Sequence, residues 1–319
     1  MRRLLAGLAC GLLTLVVADT GARSVADRLP PPNTWFLPEA QQKQQRIETL
    51  AATSPDVALV GSSVVDRGIR ARTMSTAGIP AYNAALGGGN AQLTAHWLQD
   101  VVLPELHPHV IVIGLMARDL NDHFQSPVRE YLRSEGRLLQ TGRAGFWLRQ
   151  KQRLERISGL ARLRPRLDEA YGGQDPGAPE SASRNDRFGD LTFFDDRVFR
   201  APNERRRAGL KEVFARFEMT RTLTVVRKAL EGARHQGVTI VLVDMPSLEQ
   251  DIATYLPAGE QPLIHEALRQ LAADTGAVYV DGFEGIPAGR TAFADEYHLN
   301  GIGARILTEH VIAVIRKVG

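Results

Sequence analysis

The chain reads as an α/β protein built on an open parallel sheet of about five strands with helices on both faces. Two observations carry that expectation. Four short runs, 57–60, 110–113, 238–243 and 277–280, are almost continuously Val, Ile, Leu or Ala. Strands of a parallel sheet covered on both faces read this way, whereas a half-exposed strand alternates. Between these runs the apolar residues return at helical spacing, so strand and helix alternate along the chain. The 319 residues, 44% hydrophobic, suffice for one sizeable α/β domain with an insertion.

The N-terminus reads as a targeting segment. Arg2 and Arg3 precede an uncharged apolar stretch from Leu4 to Ala18, and Val16, Val17 and Ala18 place small residues where a signal peptidase cuts. The stretch is shorter than the roughly twenty residues of a membrane span. Residues 1–18 are therefore expected to be a signal peptide or, alternatively, a signal anchor. In both cases Arg2 and Arg3 stay inside and the body is exported, whether secreted, periplasmic or anchored facing outward. Cys10, the only cysteine, lies in this stretch, so the remainder has neither disulfide nor thiolate chemistry. That usage suits a bacterial envelope.

Residues 19–46 are expected to form a tether, on the strength of Pro30, Pro31 and Pro32 and of the Gln41–Gln45 cluster. A domain then spans 47–319. Its strands are the four runs above, with 80–84 as a fifth candidate. Asn90 can cap a helix reaching Val102, with Leu93, Trp97, Leu98 and Val101 on one face. Further helices are expected over 217–236, 262–275 and 301–318.

An insertion at about 123–215 breaks the alternation. Within it, 143–167 carries eight Arg or Lys residues interleaved with Phe146, Trp147, Leu148, Leu154, Ile157, Leu160 and Leu163, a basic amphipathic helix. One reading is a solvated face covering part of the core; another is contact with an anionic membrane surface or glycan. Residues 172–187 form a Gly/Pro/Ser/Asp loop. The formal net charge of +3 is too small to argue for nucleic acid, and no nucleic-acid motif occurs.

Four blocks carry chemistry. Gly61, Ser62 and Ser63 directly follow the first strand, where a parallel sheet meets its ligand; the serines could equally cap the next helix. Gly87, Gly88 and Gly89 precede the Asn90 helix, either exposing N–H groups for an oxyanion or making a plain turn. Arg118 and Asp119 follow the third strand, where a structural ion pair is the simpler alternative. Asp295 stands three residues before His298, a spacing that lets the acid hold Nδ1 while Nε2 points outward. No cofactor-binding motif and no metal-ligand spacing such as H-E-x-x-H is present.

In order and spacing these blocks resemble the SGNH (GDSL-type) hydrolases, over roughly 55–122 and 217–318. The resemblance implies the three-layer flavodoxin-like SGNH fold and a serine hydrolase mechanism. Ser63 falls on the nucleophile, Gly88 on the oxyanion glycine, and Asp295 and His298 on the acid and base. Two positions depart from the pattern. Ser62 replaces an aspartate that the mechanism does not need. Arg118 replaces the asparagine that donates to the oxyanion. It could donate in its stead, bind an anionic substrate, or pair with Asp119 and leave the hole incomplete; Asn121 can substitute only if the loop bends to bring it inward. The implied activity is ester hydrolysis or acyl transfer on an ester-bearing small molecule, lipid, glycan or envelope polymer. A non-catalytic accessory protein on the same fold is the alternative.

Overall fold

The computed structural model describes residues 2–26, 36–51, 53–124, 185–191, 195–248 and 252–318, together with scattered positions between 146 and 163. The chain divides into two compact units, one of residues 1–35 with 133–179, the other of 36–132 with 180–319.

The larger unit is built on five parallel strands, β1 (Val57–Gly61), β2 (Ala81–Asn83), β3 (Val110–Leu115), β4 (Thr239–Asp244) and β5 (Val278–Asp281), in the order β2-β1-β3-β4-β5. Each neighbour is parallel. The five expected strands are thus observed, with ends shifted by one or two residues. β1 and β3 are buried along their whole length, which is why their sequences are apolar without alternation. Order reverses at β1, between β2 and β3. A crevice therefore opens beyond the carboxyl ends of β1 and its neighbours.

The helices follow the expected apolar stripes. The smaller unit contains α1 (Arg2–Ala26). In the larger unit, α2 (Phe36–Leu50) precedes β1; α3 (Ser63–Gly68) and α4 (Ala71–Thr76) link β1 to β2; and α5 (Ala91–Trp97) and α6 (Leu103–Leu106) lead to β3. Beyond β3 come α7 (Ala117–Leu120), α8 (Glu204–Phe214) and α9 (Thr220–His235). Helix α10 (Glu260–Thr275) joins β4 to β5, and α11 (Gly301–Val318) closes the chain. Asn90 caps α5 as expected, its Oδ1 accepting from the Leu93 N–H at 2.9 Å. The helix it starts is regular only to Trp97 and continues as a π-turn over Leu98–Val102.

Two boundaries differ from the expectation. The tether at 19–46 is helical to Ala26, and the larger unit begins at Phe36 rather than 47. Ala40, Lys43 and Ile47, spaced as one helical stripe, are all buried, so α2 packs as part of the fold. Of the glutamines that suggested an exposed segment, Gln42 and Gln45 are exposed beside that stripe. The insertion is also shorter than 123–215. From 185 onward the described residues are tied to the sheet: the Asn83 N–H donates to the Phe188 carbonyl at 2.8 Å. Asp190 accepts from the Ala71 and Arg72 N–H groups and from the Asn83 amide, capping α4.

In the smaller unit, Asp19 accepts from the Ser158 hydroxyl at 2.6 Å and from the Leu160 N–H at 3.1 Å. Most of the basic run at 143–167 and of the 172–187 loop lies outside the described residues. Among the described residues, no helix is long and apolar enough to cross a membrane.

Candidate active site

The site is assembled where β1 ends. Gly61 is required there by close approach: a Cβ would collide with the Val65 side chain and meet the Gly114 carbonyl oxygen of β3 at 2.9 Å. The chain then turns straight into α3. Ser62 is its N-cap and Ser63 its first residue. The capping role falls to Ser62, which leaves the Ser63 side chain outside the cap. The Ser62 hydroxyl donates to Asp119 Oδ2 at 2.6 Å, tying the first block to the third.

Ser63 Oγ lies 2.8 Å from His298 Nε2, across 235 residues of sequence. His298 Nδ1 faces both oxygens of Asp295, at 3.0 and 2.8 Å. The acid is held in turn. Its Oδ1 accepts from the Tyr297 and His298 N–H groups, and its Oδ2 lies 3.0 Å from Arg206 Nη2. The loop bearing both residues is pinned as a narrow turn by the bond from the Ala294 N–H to the His298 carbonyl and by the Phe293–Leu299 bridge.

The electrostatics favour a neutral base. Burial pushes the His298 imidazole down to about 4; Asp295 opposes that shift, and the Arg67 and Arg118 guanidiniums add to it. Burial works against ionisation of Asp295, but His298, Arg206 and the Tyr297 N–H outweigh it and hold the carboxyl well below the usual range. At neutral pH the pair is an imidazole beside a carboxylate, the form that can accept a hydroxyl proton.

Two backbone segments lie close together at the end of β1. As the first residue of α3, Ser63 has an N–H without an intrahelical acceptor, and no partner for it occurs among the described residues. Gly88 adopts a left-handed conformation with φ of 71°, which glycine alone takes without cost. A Cβ on Gly89 would lie 3.9 Å from Ser62 Cα, so the glycine block runs alongside the turn that bears Ser62 and Ser63.

The third block is arranged differently. Arg118 donates to Asp119 Oδ1 through Nε at 3.2 Å and Nη2 at 3.0 Å. Its guanidinium also lies over the Tyr297 ring at 4.8 Å and the Phe124 ring at 5.3 Å. The pairing alternative is thus the one observed. Asn121 is not an oxyanion donor. Its amide donates to the Val213 and Arg216 carbonyls at 2.6 and 2.9 Å, and its oxygen accepts from the His123 N–H at 3.1 Å. The loop turns this side chain toward the segment that enters α9, where it fastens one chain crossing to another.

Three site residues escaped sequence reasoning. Arg67 Nη1 lies 3.1 Å from His298 Nε2; its position four residues after Ser63, on the same helical face, was a readable signal. Arg206 bridges Asp295 and Glu296, with Nε 2.6 Å from Glu296 Oε1; nothing in its arginine-rich surroundings singles it out. Tyr297 lies between Arg118 and Arg206, its ring 4.8 and 5.1 Å from their guanidinium carbons. Among the described residues, no group of His, Cys, Asp and Glu has the arrangement of a metal site.

Fold and site together define a class, that of three-layer α/β proteins with a Ser-His-Asp triad at the carboxyl edge of a parallel sheet. It is the arrangement that the resemblance to the SGNH hydrolases implies. No protein-family model and no curated protein matches the chain. Similar solved structures include a GDSL-like lipase from Bacteroides thetaiotaomicron, 11% identical, covering 86% of this chain and 98% of that one at a TM-score of 0.45. An acetyl-xylooligosaccharide esterase from Geobacillus covers 81% and 93% at 12% identity and a TM-score of 0.40. The psychrotrophic esterase EstA from Pseudoalteromonas covers 82% and 97% at 9% identity and a TM-score of 0.39. With all three TM-scores below 0.5, the functional reading rests on the site's own geometry.

Proposed function

We propose that the protein is an SGNH-type serine esterase or acyltransferase that works outside the cytoplasm on an acylated glycan, lipid or envelope polymer. The observation that supports this best is the unbroken chain Ser63 Oγ, His298 Nε2, His298 Nδ1, Asp295, with contacts of 2.8 Å at each link. Ser63 Oγ attacks the ester carbonyl while His298 Nε2 takes the hydroxyl proton. Asp295 fixes the tautomer and stabilises the imidazolium. The Ser63 and Gly88 N–H groups receive the oxyanion. Collapse breaks the C–O bond, and His298 returns the proton to the leaving alcohol. Water or a second hydroxyl, deprotonated by His298, then releases the acyl group from Ser63.

The choice between water and a sugar hydroxyl belongs to the acceptor, since the same residues serve both. Export rests on the sequence from Arg2 to Ala18, and contact with an anionic membrane surface rests on the basic run at 143–167. Trp147, 82% exposed, gives that segment an apolar element suited to a lipid interface. Deleting 143–167 is expected to weaken binding to anionic vesicles.

A non-catalytic accessory role is favoured only by the third block, where Arg118 is engaged by Asp119. Fluorophosphonate labelling separates the two. The purified protein is expected to be labelled at Ser63 and Ser63→Ala is not. Absence of label under conditions that modify a control esterase sinks the enzyme reading.

A further inference from the structure

Helix α2 reaches the site from behind. Glu39, 4% exposed, accepts the Gly87 N–H on Oε1 at 3.1 Å. One turn on, Lys43, 1% exposed, donates to the Ala85 carbonyl at 2.5 Å and to Asp66 Oδ1 at 2.5 Å. Asp66 is fully buried on α3, three residues after the nucleophile. Asn83 completes the frame, its amide donating to the Asp66 and Ile69 carbonyls while its oxygen accepts the Ala85 N–H. The two side chains of α2 thus grip the peptide segment that ends in Gly88 and the helix that begins with Ser63.

We infer that Glu39 and Lys43 are positioning residues for the oxyanion site, with Glu39 fixing the Gly87–Gly88 peptide and Lys43 locking that loop to α3. The inference rests on the esterase reading for its kinetic consequence, though not for its structural one. A buried ionic cluster is a poor way to gain stability, because the desolvation of three charges offsets their attraction. Its geometry has another use. A turn rich in glycine has little side-chain packing to hold it, and a donor 1 Å out of place loses most of its effect on the transition state. Hydrogen bonds from a rigid helix supply what packing cannot. Burial and the Asp66 carboxylate push the Glu39 carboxyl up to about 7, with Lys43 pulling the other way. Either protonation state offers an oxygen to the Gly87 N–H, so a neutral amide of the same shape can do the same work.

The test compares Glu39→Ala and Glu39→Gln with the full chain, using amide hydrogen exchange of the 83–90 segment and the kinetics of p-nitrophenyl acetate hydrolysis. Glu39→Ala is expected to speed exchange over 83–90 and lower kcat at least tenfold with KM changed less than twofold, the pattern of an interaction realised in the transition state. Glu39→Gln is expected to recover both to within about threefold of wild type. Exchange and kcat in Glu39→Ala matching wild type overturn the inference, as does an equal kcat loss in both variants. If the wild-type protein hydrolyses nothing, the esterase reading falls, and the exchange of 83–90 alone decides whether Glu39 holds the loop.

Discussion

Arg67 Nη1 lies 3.1 Å from His298 Nε2, the atom that also faces Ser63 Oγ at 2.8 Å. A guanidinium cannot give up a proton to that nitrogen, so the contact places a fixed positive charge beside the base. Such a charge disfavours the imidazolium and, with burial, lowers the histidine's proton affinity.

The pH profile follows from that sign. The kcat/KM for a neutral ester is expected to fall on the acid side as His298 takes a proton, near pH 4. Arg67→Met removes a neighbouring cation and makes the imidazolium easier to form. Its acid limb is expected to move to higher pH by about one unit, equivalent to ~1.4 kcal/mol. A limb that stays in place between pH 3.5 and 7 would show that Arg67 does not tune the base.

Removing the acid works the other way. Asp295→Asn deprives the imidazolium of its counter-charge and offers Nδ1 an amide instead of a carboxylate. Turnover of a short-chain p-nitrophenyl ester is expected to drop by about a hundred- to ten-thousand-fold, and His298→Ala is expected to do the same. Far-UV circular dichroism should be unchanged in both. Unchanged turnover in His298→Ala removes that residue from the mechanism.

Arg206 reaches Asp295 and Glu296 from α8, at 3.0 and 2.6 Å. Glu296 is fully buried, so losing its cation leaves a carboxylate without a partner of opposite charge. Arg206→Met is expected to lower kcat about tenfold, through a looser Asp295, and to lower the melting temperature. Arg206→Lys, which cannot hold both carboxylates in one plane, is expected to recover only part of each. A melting temperature and kcat equal to wild type in Arg206→Met would reduce the bridge to a surface contact.

Asp190 ties the segment after the insertion to α4, and burial pushes its carboxyl up to about 6, against the pull of the Arg72 and Ala71 N–H groups. With an unfolded value of about 3.9, the folded state binds the proton more tightly. Its stabilising contribution is complete below about pH 4, falls as pH rises through 6, and is level above. Relative to Asp190→Asn, wild type is expected to lose up to ~3 kcal/mol between pH 4 and 7 in urea unfolding. A difference that does not vary with pH contradicts the assignment.

The strands and main helices were legible because their signals are local. Val110–Leu115 is apolar throughout since both its faces are covered, and α11 begins where Asn300 supplies an acceptor for the Ile302 and Gly303 N–H groups. The pairing of Asp295 with His298 was legible for the same reason, the two being three residues apart on one turn. The role of α2 was hidden because Glu39 and Lys43 look like the charges of any exposed helix. Their burial depends on what packs against them.

By itself the sequence determined the alternation of strand and helix, the blocks that bear Ser63, Gly88, Asp295 and His298, and the place where Arg118 departs from the resembling pattern. The alternation follows from periodicity, and the blocks and the departure at Arg118 from a resemblance in the order of motifs; a linear chain carries both in full. Tertiary structure decided which of several polar side chains face the crevice and which face each other. It turned Asn121 toward the Val213 and Arg216 carbonyls, paired Arg118 with Asp119, and brought Arg67, Arg206 and Glu39 to the triad and its glycine turn. Hydrogen bonding is directional and short-ranged. A partner's identity is therefore fixed only when the backbone has set distance and angle, and no pattern along the chain encodes that.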